Sequence, residues 1–198
     1  TADKKDSQGL CFIGKVKLPD FLQQSLKPKN GNVVLIDKLF NGYKSYPNSK
    51  EIKVMSQKIQ YKKSDGELIG HHNGAHFYTI GQRKGLSIGG REKPLYVLST
   101  DVVNNIIYVG EGSDHPGLFR SSLKVPASKM HFISDPEKLE LKNLKARIRY
   151  RQALQDVFFT KSSENYYFNF KNPQKAITSG QFIALYDNEE LICSGVID

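Results

Sequence analysis

The sequence predicts a mainly β protein, with a small central α+β domain followed by an antiparallel C-terminal β-barrel. Three observations carry this expectation. From Pro94 onward, short apolar runs recur between turn residues with no long helical stretch among them, the pattern of a small closed sheet. Gly89-Gly90-Arg91 separates that region from an upstream one in which helical spacing, one apolar strand and polar connections alternate. Hydrophobic residues make up 38% and aromatic residues 11% of the 198, which is enough to bury a packed core.

Residues 1–15 show no hydrophobic period and read as an extended, cysteine-bearing segment. The central domain is expected over 16–90. In it Leu18, Phe21, Leu22 and Leu26 fall at helical spacing, Pro19 suits a first-turn position and Lys27-Pro28 ends the helix. After the Asn30-Gly31 turn, Asn32–Asp37 is a short apolar strand. Residues 38–63 are polar, lysine-rich and broken by Pro47, with alternation returning over Glu51–Tyr61; they read as an insertion, a loop or peripheral hairpin. Asp65-Gly66 is a turn, and a glycine- and histidine-rich connection leads into Tyr78–Gly90. The barrel is expected over 91–198. There Leu95–Leu98 and Ile106–Val109 flank Asn104-Asn105 as a hairpin. Leu144–Gln152, Ala153–Thr160, Tyr166–Phe170 and Phe182–Tyr186 follow as strands, and Leu191–Val196 completes the series after the Asp187-Asn188 turn.

Lys and Arg number 29 against 20 Asp and Glu, a formal net charge of +9 that points to a polyanion as partner. No apolar run approaches the roughly 20 residues of a membrane span, and no signal-peptide core is present. Cys11 and Cys193 are too few and too far apart for a disulfide framework, so a reducing cytoplasm is the expected location. The chain opens on Thr1 in a charged, loop-like stretch, as expected of a fragment of a longer protein.

The placement of the charge sharpens the partner. If Leu144–Gln152 is a strand, Lys145, Arg147, Arg149 and Arg151 line one face, about 6.7 Å apart, with Leu144, Ala146, Ile148 and Tyr150 on the other. Such a row matches backbone phosphates; the alternative is a solvated face paired with acidic neighbours. Gln82, Arg83 and Lys84 stand between Gly81 and Gly85, where a guanidinium fork and a mobile ammonium can hold a phosphate. The stretch lacks the order of a nucleotide-binding P-loop, and by spacing alone it is equally a tight basic turn. His71, His72 and His76 invite a metal reading, but Asn73-Gly74 between them argues against a chelating helix, and no metal site is expected. Cys193 alternates with apolar neighbours and reads as core. Cys11, flanked by Gly9 and Gly14 and near Lys4, Lys5 and Lys15, is either a small buried hydrophobe or a thiol made reactive by a positive field.

The stretch Tyr78-Thr79-Ile80-Gly81-Gln82-Arg83-Lys84-Gly85-Leu86, together with Lys5-Asp6-Ser7-Gln8 and Cys11-Phe12-Ile13-Gly14, resembles the C-terminal part of the bacterial and organellar tRNA-specific 2-thiouridylases. The resemblance continues through Gly70-His71-His72-Asn73-Gly74, Asn104-Asn105, Gly112-Ser113-Asp114-His115-Pro116, Arg149-Tyr150-Arg151-Gln152, Ala176-Ile177-Thr178 and Gly180-Gln181. Departures are the 38–63 insertion, Ser179 in place of a proline, Ser194-Gly195-Val196 in place of a glycine-rich ending, and Leu95 and Phe132 at places of tryptophans.

The resemblance implies central and C-terminal domains whose N-terminal ATP-pyrophosphatase domain, with its partner cysteine, lies outside this chain. It implies an enzyme that uses ATP with Mg to activate the C2 oxygen of the wobble uridine in tRNAs for lysine, glutamate and glutamine. Sulfur would come as a persulfide from a cysteine desulfurase or a sulfur-carrier protein and rest on Cys11. Gln82, Arg83, Lys84, Lys145, Arg147, Arg149 and Arg151 would face RNA, and this chain alone would be inactive. The competing expectation is a non-catalytic RNA-binding β-barrel module in which Cys11 is incidental.

Overall fold

The computed structural model describes residues 27–44, 51–133, 144–162 and 164–198; Cys11 and the helix expected over 18–26 lie outside them. β1 (Gly31–Leu35), β2 (Glu67–His72), β3 (Leu95–Asp101) and β4 (Ile106–Glu111) form a four-stranded sheet in the order β2-β1-β4-β3. β1 and β4 run parallel, and the other neighbours run antiparallel. Both faces of this sheet are covered, which is why β4 is a continuous apolar run with Ile106–Gly110 all buried. One face packs Val33, Val97, Ile107 and Val109 against Ala75 and Leu86. The other packs Val34, Leu98, Ile106 and Tyr108 against Tyr43 and Leu118.

The second sheet holds β5 (Phe119–Pro126), β6 (Met130–Phe132), β7 (Leu144–Arg147), β8 (Gln155–Lys161), β9 (Asn165–Lys175), β10 (Phe182–Asp187) and β11 (Glu190–Val196). It is antiparallel throughout, in the order β5-β9-β8-β7-β10-β11-β6, and curls into a half-barrel. Alternation sets its inside: Leu144 and Ala146 of β7 and Ile183 and Leu185 of β10 are buried with Phe168, Val125 and Cys193, while Lys145 and Phe182 face outward. The C-terminus ties the curl to β5, with an Asp198–Lys124 ion pair of 2.8 Å and the Asp198 N–H donating to the Lys124 carbonyl.

The hairpin expected around Asn104-Asn105 is β3–β4, and Asn105 occupies the left-handed region at φ +54° that asparagine tolerates. Its amide also does what the sequence did not disclose. Oδ1 accepts from the Ala75 N–H and Nδ2 donates to the carbonyls of Lys29 and Asn30, joining three segments.

Several expected elements take another form. β3 and β4, placed by the sequence beyond Gly89-Gly90-Arg91, join the first sheet through the pairing of β4 with β1, so the change of sheet falls between Glu111 and Phe119. The glycines turn a loop that stays with the first sheet: the Gly81 N–H donates to the Val97 carbonyl at 2.7 Å and the Val97 N–H to the Gln82 carbonyl at 3.0 Å. Within 38–63, the described residues hold no strand. They form a 3-10 turn (Asn41–Tyr43), a turn of α-helix, α1 (Ile52–Met55), and an aromatic cover in which Phe40, Tyr43 and Tyr61 pack on the β4 side, the two tyrosine hydroxyls 3.0 Å apart. The lysines of this segment made it read as peripheral, but its inward half is aromatic.

The strand expected over Leu144–Gln152 ends at Arg147, because the Gln152 side-chain oxygen accepts from the Ile148 N–H at 3.0 Å and closes a turn. β2 and β5 escaped the sequence reading, since glycine and histidine in one and Arg120-Ser121-Ser122 in the other break the apolar pattern. Arg120 is nevertheless buried, donating to the Ser56 and Ile177 carbonyls at 3.2 Å each and so linking α1, β5 and the segment after β9.

Candidate nucleic-acid interface

The glycine-flanked loop is held rigidly. Gly81 at φ +84° and Gly85 at φ +86° set its two bends. The Gln82 side chain organises the turn between them, its oxygen accepting from the Thr79 N–H at 3.1 Å and its nitrogen donating to the Lys84 carbonyl at 2.8 Å. Burial raises the Tyr78 phenol above its ordinary value, so it stays protonated and donates to the Gly85 carbonyl. With the amide of Gln82 engaged inside the loop, Arg83 and Lys84 are left as its exposed cations.

On the barrel, two of the four cations expected on one face share it. Lys145 is exposed, and Arg147 lies beside Ala184 on the outer side of β7 and β10. Arg147 is braced: Nε and Nη2 donate to the Tyr186 hydroxyl at 3.1 and 2.6 Å, and Nη1 donates to the Tyr150 carbonyl at 3.2 Å. Arg149, in the turn after β7, donates from Nη2 to the carbonyls of Lys175 and Ala176 at 2.8 and 3.1 Å. Among the described residues no carboxylate lies within ion-pair distance of Lys145, Arg147 or Arg149. Arg151 is exposed in the same turn.

The loop and the turn, far apart in sequence, meet through Ala176. Its carbonyl accepts from Arg149, and its methyl lies where a Cβ on Gly81 would come within 2.6 Å. Arg83 and Lys84 thus belong to a loop packed against the residue whose carbonyl holds Arg149. Lys175 is committed elsewhere: Nζ donates to the Ser113 carbonyl at 2.9 Å and sits 4.9 Å from the Tyr96 ring centroid, locked between the sheets.

The sequence singled out cations but missed the aromatics around them. Tyr150 and Phe182 are 60% and 64% exposed, and with Tyr186 and Gln181 they line a groove of about 600 Å³ that also contains Arg147 and Arg149. Phe182, Ala184 and Tyr186 alternate along β10 on the outward side, a period-two signal that the strand pattern already contained.

The histidines do not converge. His71 and His72 point to opposite faces of β2, the first exposed and the second buried. Among the described residues no group of three His, Cys, Asp or Glu side chains is gathered. The His72 Nδ1 accepts from the Gly74 N–H at 2.9 Å, and burial lowers its proton affinity. Cys193 is fully buried on β11, which pushes its thiol up to about 12, so it is inert core as expected.

Comparison with known proteins meets this geometry from outside. Residues 49–111 match the family described as tRNA methyl transferase PRC-barrel domain, and residues 122–197 match the Aminomethyltransferase beta-barrel domain; the gap between them coincides with the change of sheet. The chain is 50% identical over 205 residues to the tRNA-specific 2-thiouridylase MnmA of Flavobacterium johnsoniae, covering all of this chain and 52% of that protein. It is 47% identical over 208 residues to the same-named protein of Christiangramia forsetii, with all of this chain and 52% of the relative covered. With that of Karelsulcia muelleri the identity is 45% over 197 residues, covering 99% and 50%. The chain spans about half the length of the curated relatives it matches.

Proposed function

We propose that this chain, which carries the central and C-terminal portions of the tRNA-specific 2-thiouridylase family, is the RNA-cradling and sulfur-bearing part of an enzyme that replaces the C2 oxygen of the wobble uridine in tRNA by sulfur. The observation that carries this reading is the end-to-end match to proteins of that name, residues 1–15 with Cys11 included. Support from the geometry is that the loop carrying the exposed Arg83 and Lys84 packs on Ala176, whose carbonyl also holds Arg149. Phosphate contacts of this kind position RNA without reading its sequence, which suits an enzyme whose selectivity lies at one base.

Under this reading Cys11 holds a persulfide received from a cysteine desulfurase or a sulfur carrier, because a thiolate can accept, carry and release sulfur where a hydroxyl cannot. The substrates are tRNAs for lysine, glutamate and glutamine, met in the cytoplasm. Among the described residues no helix is long and apolar enough to cross a membrane. ATP with Mg is a different matter. The glycine-flanked loop lacks P-loop order, and its Gln82 amide is committed internally, so this loop does not fit a nucleotide. Following the resemblance, the reading places the nucleotide on the part of the relatives beyond this chain. The domain boundary that best suits the reading lies at 112–118, between the two family matches.

The test has two arms. In the parent enzyme, Cys11→Ser should abolish 2-thiouridine formation while tRNA binding persists; thiolation at a near-normal rate would remove Cys11 as the sulfur carrier. In this chain, neutralising Arg147 and Arg149 together should flatten the slope of log affinity against log salt by up to about two units. A slope change without persulfide labelling of Cys11 would favour a binding-only barrel.

A further inference from the structure

The geometry points to the groove beside β10 as a stacking subsite for an unpaired nucleobase, built between the phosphate-binding arginines. This rests on the RNA reading above and adds to it a base contact on the barrel. The observations are independent of the charge count. Phe182, Ala184 and Tyr186 follow one another on the outward side of β10, so two aromatic rings flank a floor as small as a methyl group. Tyr150, from the turn after β7, lines the same groove. Isolated exposed apolar side chains need no explanation. Here, however, Tyr150 and Phe182, 60% and 64% exposed, share one groove with Arg147 and Arg149, and among the described residues no carboxylate lines it.

The arginines are already oriented. Arg147 is fixed by the Tyr186 hydroxyl and the Tyr150 carbonyl, and Arg149 by the carbonyls of Lys175 and Ala176, so ordering them costs little when RNA arrives. Gln181 also lines the groove, and among the described residues its buried side-chain oxygen has no hydrogen-bond partner. Aromatic faces beside a cationic track, with one polar group at the edge, are what a single-stranded nucleotide requires. A duplex keeps its bases stacked and would use the arginines alone.

The test compares a short single-stranded oligoribonucleotide with an RNA duplex of equal charge, binding to the full chain. Phe182→Ala and Tyr150→Ala should each weaken single-strand binding at least ~5-fold, the lower end of one lost stacking contact. They should leave the salt slope unchanged, since neither side chain neutralises a phosphate. Duplex affinity should stay within about 2-fold, and Phe182→Tyr should restore binding, because a phenol stacks as a phenyl does. Ala184→Leu, which fills the floor and adds no charge, should weaken single-strand binding in the same way. The urea midpoint of each variant reports folding. Single-strand affinity unmoved by all three aromatic and floor changes, with Arg147→Gln and Arg149→Gln still lowering the slope, would overturn the stacking subsite and leave the phosphate surface standing. Wild-type chain that binds neither RNA would overturn both.

Discussion

Replacing Gly81 by alanine tests the contact on which the candidate interface depends. Two costs are expected, and they separate. At φ +84° an alanine is held in the left-handed region, which costs about 1–2 kcal/mol. Its Cβ would also stand 2.6 Å from the Ala176 Cβ, and this atom cannot rotate away. Overpacking of this kind typically costs about 1–3 kcal/mol. Gly81→Ala should therefore destabilise the chain by roughly 2–5 kcal/mol in all.

Ala176→Gly removes the second cost and keeps the first. By itself it exchanges relief of its own φ +53° for the loss of a buried methyl, two effects of about 1 kcal/mol that nearly cancel. In that background Gly81→Ala should cost only about 1–2 kcal/mol, leaving a coupling of about 1–3 kcal/mol between the sites. Urea midpoints of the four proteins, at constant m value, measure the cycle. RNA affinity should follow it, because the docked loop carries Arg83 and Lys84. Equal costs in both backgrounds, to within about 0.5 kcal/mol, would mean that the loop does not pack on Ala176.

Stability should fall as the pH is lowered from 7 to about 5.5, because His72 and His115 are held neutral. The Nδ1 of each accepts a backbone N–H, from Gly74 at 2.9 Å and Gly117 at 3.2 Å, and burial lowers both below the ordinary value of 6.5. Below 6.5 the unfolded chain binds protons that the folded one refuses, so each histidine contributes a slope of up to about 1.4 kcal/mol per pH unit. His115→Gln should remove one such share, and midpoints that stay level across this range would refute neutral burial. Brief alkylation of the native chain near neutral pH should modify Cys11 well before Cys193, whose buried thiol titrates only at about 12. Equal labelling, read by peptide mass, would show that Cys193 is not shielded.

Sequence by itself determined what depends on local chemistry. Alternation with apolar neighbours placed Cys193 inside, the turn tendency of Asn104-Asn105 placed the β3–β4 hairpin, and the full-length motif string pointed to the family before any coordinate was needed. Exposed cations at Arg83, Lys84 and Lys145 were legible for the same reason, since charge is costly to bury unless it is paired.

Only the tertiary structure decided which segments share a surface. Whether the hairpin joined the first sheet or the barrel depended on β1 lying parallel to β4, a pairing that no local pattern encodes. Where the basic strand stopped depended on Gln152 reaching back to Ile148, and Arg120 became a buried clamp because two distant carbonyls face it. The meeting of Gly81 with Ala176, 95 positions on, is of the same kind. Side-chain period is a property of a few neighbouring residues, whereas a binding surface is an agreement among strands far apart in the chain, fixed only when both sheets have packed.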